Sequence, residues 1–197
     1  MLGRRNPFVA QEGIPFLAIT IIVAISLIGY ANPWYALLPG VAFVFLFLLF
    51  RDPARTVPSV ALGVVSPVDG EIIAVDKVAS GELQSEAHRI VIRVDRLGSY
   101  TARSPVEGKI MDPGTNALWV QTDEGDDVVL QFRDYRFGLA PRSFARFGER
   151  LGQGQRCVYL RLARVAEVQL PITGKVLVEQ GQVVIAGTDV IATVPRH

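Results

Sequence analysis

Cysteine and histidine are nearly missing from this sequence. Of its 197 residues one is a cysteine, Cys157, and two are histidines, His88 and His197. A single cysteine cannot form an internal disulfide, and a chain with one unpaired cysteine fits a reducing compartment. Structural metal sites are built mainly from clustered cysteines and histidines, so the sequence predicts no metal centre.

The sequence also lacks an excess of charge of either sign. Its formal net charge is +1. Residues 1–51 contain only Arg4, Arg5, Arg51 and Glu12 among the charged types, which leaves 17 basic and 18 acidic residues in the rest of the chain. Proteins that bind nucleic acid neutralise its phosphates with a surplus of lysine and arginine. Nucleic acid is therefore not an expected partner.

Charge is absent altogether from one long stretch. Residues 13–50 contain no Asp, Glu, Lys or Arg, and one membrane helix needs about 20 apolar residues. The stretch is long enough for two helices, and Asn32-Pro33 marks a turn between them. Trp34 and Tyr35 follow, and aromatic residues favour the membrane–water interface. We predict an N-terminal arm and two transmembrane helices, at 1–13, 14–30 and 34–50.

Arginines flank this apolar stretch on both sides, whereas its central turn carries no charge. Arg4-Arg5 precede it, and Arg51 and Arg55 follow it. The positive-inside rule then predicts a two-pass protein with both termini in the cytoplasm. Arg51 and Arg55 are candidate contacts for lipid headgroups, and Trp34 and Tyr35 are candidates for the interface.

Two other structures can give an apolar N-terminal region. A cleaved signal peptide needs a site with small residues before the second apolar segment, and we find no convincing one. A buried helix of a soluble core keeps a polar stripe, but residues 43–50 are apolar on every side. We therefore retain the hairpin as the prediction.

Strand patterns replace helical periodicity after Phe50. Residues 89–94 alternate with period two, and residues 118–122 and 128–132 flank an acidic turn, as in a β hairpin. We predict a mostly β domain over residues 51–197, a flattened barrel or sandwich, with at most a turn of helix between Asp134 and Phe147. Residues 64–75 are predicted to form a strand, a turn and a second strand, and further strands are predicted at 157–162, 166–170, 174–178 and 190–194.

One short phrase recurs within the β region. Residues 66–70 read Ser-Pro-Val-Asp-Gly, residues 104–108 read Ser-Pro-Val-Glu-Gly, and residues 170–174 repeat the pattern loosely. Proline sets a corner and glycine permits a positive φ, so each copy predicts a tight corner that leads into a strand. Lipoyl and biotinyl carrier domains have a similar texture, but no lysine is found at a hairpin tip here.

In their order and spacing these phrases resemble the phosphatidylserine decarboxylase family, in its short, membrane-anchored bacterial form. The resemblance covers nearly the whole chain and implies a mostly β fold at the bacterial inner membrane. It also implies conversion of phosphatidylserine to phosphatidylethanolamine by a pyruvoyl group built from an internal Gly-Ser pair. The matching features are the apolar pair, the exit 50–55, the corners 66–70 and 103–108, Gly148-Glu149-Arg150 and the tail 170–192.

The family residues that carry this chemistry are replaced in the present chain. Counting back without gaps from Leu170-Pro171, the Gly-Ser pair falls on Ala163 and Arg164, and the catalytic histidine falls on Tyr100. Arginine has no β-oxygen that can form and then expel an ester. Of the family's catalytic set only Asp69 remains. The comparison therefore implies that no pyruvoyl cofactor forms.

From these replacements we predict a non-catalytic relative of the decarboxylases. It would serve as an accessory subunit that packs against integral membrane proteins, in a complex of respiratory or photosynthetic type. Arg142 and Arg146 lie among aromatic residues and are candidate contacts for lipid or for such a partner. Two alternatives stay open, which are an active pyruvoyl-dependent decarboxylase and a phospholipid-binding module.

Overall fold

The chain divides into two compact units, residues 1–54 and residues 55–197. The computed structural model describes residues 8–30, 32–58, 60, 62–79, 81–83, 85–112, 117–135 and 138–195. Arg4, Arg5 and His197 from the sequence analysis lie outside the described residues.

Two apolar helices form the N-terminal unit. α1 spans Ile14–Tyr30 and α2 spans Leu37–Leu49, and a 3-10 turn precedes each of them. The α1 bounds agree with the prediction, whereas the second predicted helix, 34–50, begins with the 3-10 turn Pro33–Ala36. The Asn32 side chain accepts a hydrogen bond from the Trp34 backbone amide at 3.1 Å, which caps that turn.

Only the first helix is long and apolar enough, among the described residues, to be a candidate membrane span. With its preceding 3-10 turn it covers Gln11–Tyr30, which is 20 residues. The second apolar helix, Pro33–Leu49, is shorter. At 1.5 Å per residue it reaches about 26 Å, against a hydrocarbon core of about 30 Å. Membrane anchoring is thus supported through one helix, and the two-pass topology stays a prediction.

The two ends of the hairpin are joined by backbone and ring contacts. The Phe8 carbonyl accepts a hydrogen bond from the Asp52 amide at 2.9 Å. The rings of Phe16 and Phe50 stack with their centroids 5.7 Å apart. Gly13 is required here because a Cβ at this position would overlap the Phe50 side chain. These contacts close the helical unit at its open end.

The second unit is built from antiparallel sheets. The strands in the described residues are β1 Gly63–Val65, β2 Gly70–Val78, β3 Ala87–Val94, β4 Thr101–Arg103, β5 Gly108–Asp112, β6 Ala117–Gln121, β7 Asp127–Arg133, β8 Arg142–Ser143, β9 Arg150–Leu151, β10 Arg156–Tyr159, β11 Val165–Pro171, β12 Lys175–Val176, β13 Val183–Val184 and β14 Val190–Thr193. Eight of these strands form the largest sheet, in the order β13-β2-β3-β11-β7-β6-β5-β9, and two three-stranded sheets have the orders β1-β14-β12 and β4-β10-β8.

Strands β3 and β11 form the centre of the large sheet and pair without a break from Arg93↔Val165 to Ala87↔Pro171. Ile90 and Ile92 point into the core, as the period-two pattern predicts. The helical turn predicted between Asp134 and Phe147 is wrong, because the described residues there form loops and β8. β8 pairs with β10, and this long-range pairing outweighs local propensity.

The recurring Ser-Pro phrase forms two matching corners. The Ser66 hydroxyl donates to the Val68 carbonyl at 2.7 Å, and the Ser104 hydroxyl donates to the Val106 carbonyl at 2.8 Å. Each serine thus closes the corner that its proline begins. The predicted corners are confirmed for these two copies.

The glycine that ends each corner serves a different purpose from the predicted one. Neither Gly70 nor Gly108 has a positive φ. A Cβ at Gly70 would overlap the Arg93 carbonyl oxygen, and one at Gly108 would overlap the Gln121 carbonyl oxygen. Close approach of the neighbouring strand, rather than a left-handed backbone, therefore requires glycine at both positions.

Candidate functional site at one end of the large sheet

The four family positions, Asp69, Tyr100, Ala163 and Arg164, are brought to one end of the eight-stranded sheet. The Val94 amide, at the end of β3, donates to the Arg164 carbonyl at 2.8 Å. We call this end the site end. It is bounded by the strand ends Gly70, Val94, Asp112, Ala117, Arg133, Val165 and Val184.

Asp69 is held at the site end by donors from three separate segments. Its Oδ2 accepts from the Ser99 amide at 2.7 Å and from an Arg55 guanidinium nitrogen at 3.0 Å. Its Oδ1 accepts from the Ala186 amide at 2.8 Å. The carboxylate therefore links the start of the β unit, the loop after β3 and the loop after β13.

Sequence reasoning missed this network. Arg55 is a predicted candidate for lipid contact, and its pairing with Asp69 was not predicted. Ala186 is 117 residues from Asp69 along the chain, so no local pattern indicates their contact. One residue in the sequence that indicates the network is Gly98. It leaves room for the Asp69 side chain, since a Cβ at position 98 would come within 2.8 Å of the Asp69 Cβ.

Tyr100 belongs to an aromatic cluster beside this network. Its ring is tilted against Tyr159, with centroids 6.1 Å apart, and the ring centroids of Tyr159 and Phe144 are 4.8 Å apart. The Tyr100 carbonyl accepts from the Leu160 amide at 3.0 Å. The position predicted for the family's histidine thus carries a packed phenol.

A strained turn leads from β10 into Ala163 and Arg164. The Ala163 amide donates to the Leu160 carbonyl at 2.9 Å, and the two residues between them have positive φ, 47° at Arg161 and 72° at Leu162. Two-residue turns of this kind usually contain glycine or asparagine, and each other residue costs of order 1 kcal/mol. The strands on both sides hold the turn in place.

The residues at this turn do not fit a pyruvoyl group. Such a group needs a serine, threonine or cysteine to supply the β-heteroatom, and residues 158–172 contain none. Cys157 is fully buried beside this segment, and burial raises the pKa of its thiol. Ser99 follows a glycine, but its amide is bonded to Asp69. None of these side chains supplies the missing group at position 164.

The remaining lipid and partner candidates lie in both units. In the helical unit, Trp34 and Tyr35 are exposed at the hairpin turn and Arg51 is half-buried, in a β bridge with Val9. In the β unit, Arg142 and Arg146 are exposed. Within the helical unit, Arg51 follows α2, at the opposite end of that helix from the turn that carries Trp34 and Tyr35.

A separate cavity of about 200 Å³ opens at the opposite end of the sheet. Arg150 lies near it and bonds to the carboxylates of Asp123 and Glu107, and these hydrogen bonds raise the pKa of Arg150. The cavity contains none of the predicted site residues. It is lined by Val60, Leu62, Gly63, Val106, Glu107, Thr122, Asp123, Glu124, Gln153 and Val194.

The apolar helix and the antiparallel β unit define a membrane-anchored β protein. Its candidate site is assembled from loops that are far apart in the sequence. The chain is 35% identical over 210 residues to the phosphatidylserine decarboxylase proenzyme of Nitrosomonas europaea, with 95% of each chain covered. It is 32% identical over 220 residues to the proenzyme of Burkholderia mallei, with 98% of each covered. The chain belongs to the phosphatidylserine decarboxylase proenzyme family.

Two further comparisons add no functional argument. No family model matches the chain. The solved glucose permease IIA of Mycoplasma capricolum is similar with a TM-score of 0.49 and 22% identity, covering 66% of this chain and 94% of that one. The family assignment rests on the sequence relatives, and it confirms the resemblance at the level of the family.

Proposed function

We propose that this chain is a non-catalytic member of the decarboxylase family that acts as a membrane-anchored accessory subunit. The observation that carries the proposal is the composition of the segment that contains the site-end turn between β10 and β11. Residues 158–172 contain no serine, threonine or cysteine, and Ala163-Arg164 stand at the Gly-Ser position. Without a β-heteroatom the backbone cannot shift to an ester and eliminate, so the precursor stays whole.

The hydrogen bonds of Asp69 support a structural role for this residue, the one member of the family's predicted catalytic set that the chain keeps. Both of its oxygens are engaged, by the amides of Ser99 and Ala186 and by Arg55. A carboxylate fixed in this way stabilises the loops around the site whether or not chemistry occurs there. Its retention is therefore compatible with a chain that has no activity.

The exposed surface of the helical unit supports a role in an assembly. Its apolar side chains are exposed along both helices, so they need lipid or other membrane helices as neighbours. Examples are Ile22, Ile25, Val41, Val44 and Phe45. We place the partner among integral membrane proteins, of which respiratory and photosynthetic complexes are the class that we favour.

The intact mass of the purified full chain tests the proposal. A single species near 21.5 kDa, with no phosphatidylethanolamine made from phosphatidylserine, is the expected result. Two fragments together with decarboxylation would overturn it. The proenzyme of a similar relative, expressed in parallel, is the control for processing. Purification in mild detergent then tests the subunit role, which a chain that is alone and monodisperse would contradict.

Decarboxylase activity is the second candidate, because the relatives that the chain matches over nearly their full length are named as decarboxylase proenzymes. It would require processing at another residue, and Gly98-Ser99 is the glycine–serine pair that lies next to Asp69. Cleavage there would give two fragments of nearly equal length. Ser99→Ala would abolish such fragments, whereas a control at an exposed serine that follows glutamine, Ser85→Ala, would leave them unchanged.

A further inference from the structure

The β unit contains two copies of one seven-strand arrangement. The contiguous copy is β4 to β10, residues 101–159, and the other copy is β1 to β3 continued by β11 to β14. In the large sheet, β13, β2, β3 and β11 on one side of the centre correspond to β9, β5, β6 and β7 on the other side. The small sheets β1-β14-β12 and β4-β10-β8 correspond in the same way. An approximate two-fold axis therefore passes between β11 and β7 and exchanges the two ends of the large sheet.

Hydrogen bonds outside the strand ladders give the correspondence residue by residue. The same amide-to-carbonyl bonds occur in both copies: Val194 to Leu62 and Leu160 to Tyr100, Gly187 to Ser66 and Gly154 to Ser104, Ile72 to Gln182 and Ile110 to Glu149, and Val94 to Arg164 and Thr122 to Asp126. Gly187 and Gly154 even share a positive φ, 70° and 68°. The correspondence makes Glu107 the counterpart of Asp69, because each follows the second residue after the proline of its corner.

The cavity of about 200 Å³ is the two-fold counterpart of the candidate site. Four residues of its lining, Leu62, Glu107, Gln153 and Val194, are the equivalents of Tyr100, Asp69, Ala186 and Leu160. Asp69 is buried and bonded to the Ala186 amide, whereas the Glu107 side chain is 61% exposed. The space that a carboxylate fills at the site end is therefore open at the opposite end.

The wall of this cavity offers an apolar surface and a buried hydroxyl. Val60, Leu62 and Val194 supply the apolar side chains. Thr122 is 8% exposed, and its hydroxyl oxygen accepts from the Asp126 amide at 3.1 Å. Among the residues that the structure describes, the hydroxyl hydrogen of Thr122 has no acceptor. A buried donor without an acceptor is destabilising, so an oxygen atom of a ligand in the cavity would be stabilised there.

The exposed side of the cavity is acidic. Three carboxylates lie there, those of Glu107, Asp123 and Glu124. Arg150 pairs with Glu107 at 3.3 Å and also with Asp123. In the described part of the chain, the Glu124 carboxylate has no ion pair. One guanidinium for three carboxylates leaves an excess of negative charge, which favours a cation at this point and disfavours an anion.

The volume limits the size of a ligand. A water molecule takes about 30 Å³ in the liquid, so the cavity has room for a chain of about six or seven heavy atoms. A charged end, an apolar middle and a hydrogen-bond acceptor at the far end match the three parts of the lining.

We propose that this cavity is a binding site for a small amino alcohol, free in solution. Its ammonium group lies beside the carboxylates of Asp123 and Glu124, its carbon chain contacts the apolar wall, and its hydroxyl oxygen accepts from Thr122. The inference goes beyond the proposed accessory function. It uses neither the membrane anchor nor the lack of activity, so it holds for a catalytic or a non-catalytic chain.

An NMR titration of the full chain in detergent micelles tests the site. The probe is an aminopentanol with its two polar groups at opposite ends of the carbon chain. We expect saturable shifts of the backbone amides of Thr122, Glu124 and Gln153, while those of Ser99 and Ala186 at the site end stay unchanged. Pentanediol lacks the ammonium group and pentylamine lacks the hydroxyl, and each should bind about threefold more weakly or worse.

Two pairs of matched variants locate the binding. Glu124→Gln should weaken binding of the aminopentanol about threefold, whereas Asp112→Asn, at an exposed carboxylate on the other end of β5, should leave it unchanged. Val60→Phe places a larger side chain in the cavity from an exposed position and should abolish saturation. Val183→Phe makes the same change on the exposed edge strand β13 and should have no effect.

Three results would overturn the proposal. The first is a set of shifts that rises linearly with the aminopentanol concentration and does not saturate. The second is equal affinity for pentanediol or for pentylamine, since the ligand would then be recognised without its ammonium group or its hydroxyl. The third is a Val60→Phe variant that binds like the parent, which would place the probe outside the cavity. The intact mass of the chain is independent of all three, so this proposal and the proposed function can fail separately.

Discussion

Replacing Asp69 with alanine removes the acceptor of three hydrogen bonds from three segments. The amides of Ser99 and Ala186 are buried and lose their partner. Each buried donor left unpaired costs about 1–3 kcal/mol. Arg55 is 23% exposed and can rehydrate, so its lost pairing adds no more than about 1 kcal/mol.

We therefore expect Asp69→Ala to lower the free energy of unfolding of the β unit by about 3–5 kcal/mol. Single domains have about 5–15 kcal/mol in total, so the loss is a large part of the stability. Asp69→Asn keeps one carbonyl oxygen as an acceptor and should cost about half as much. Arg55→Ala, which leaves both amides bonded, should cost about 1 kcal/mol or less.

The assay is a urea titration of the full chain in detergent, followed by the fluorescence of Trp119 in β6. Trp34→Phe removes the signal of the helical unit. A free energy of unfolding for Asp69→Ala within about 0.5 kcal/mol of the parent would refute the reasoning, since changes of that size are typical of surface positions without structural contacts. Asp69 would then be available for chemistry instead of acting as a link between loops.

Three further predictions concern the thiol, the corner glycine and the missing serine. Burial raises the pKa of the Cys157 thiol above its ordinary value of 9.0. The thiol of the unfolded chain therefore ionises first, and the free energy of unfolding should fall as the pH rises above about 9. Cys157→Ala should reduce this dependence of the free energy of unfolding on pH, as measured by urea titrations. Gly70→Ala should destabilise the β unit by about 2–4 kcal/mol in the same assay, because its Cβ overlaps the Arg93 carbonyl. The triple variant Ala163→Gly, Arg164→Ser and Tyr100→His should form a backbone ester at position 164. Hydroxylamine cleaves such an ester, which mass spectrometry detects as two fragments. An uncleaved chain would show that the scaffold no longer supports the shift of the backbone from amide to ester.

Local patterns predicted the elements of the fold. α1 was predictable because its apolar run has one boundary at a turn and one at the N-terminal arm. β3 was predictable because Ile90 and Ile92 alternate with polar residues over a single face. Strand β8 was not predictable, because two residues are too few to show a periodic pattern and the strand forms through its pairing with β10.

The arrangement of the site could be predicted only in part. Counting from Leu170-Pro171 located Ala163-Arg164, and the structure places that pair at the same sheet end as Asp69 and Tyr100. The network around Asp69 depends on Arg55 and Ala186, which are 14 and 117 residues away. Hydrogen bonds between such distant segments follow from the register of the whole sheet, which no local pattern contains.

The retained and the replaced positions differ in what they do for the fold. Asp69 and Gly70, which belong to the corner that resembles the family, lie where a change would break a loop or overlap a neighbouring group. Tyr100 and Arg164, at the predicted positions of the histidine and the serine, have carbonyls that accept from Leu160 and Val94 whatever side chain they carry. A chain that loses the reaction while it keeps the scaffold should show this division. A chain that keeps the reaction should preserve both sets, so the predicted replacements at Tyr100 and Arg164 are consistent with the proposal of a non-catalytic member.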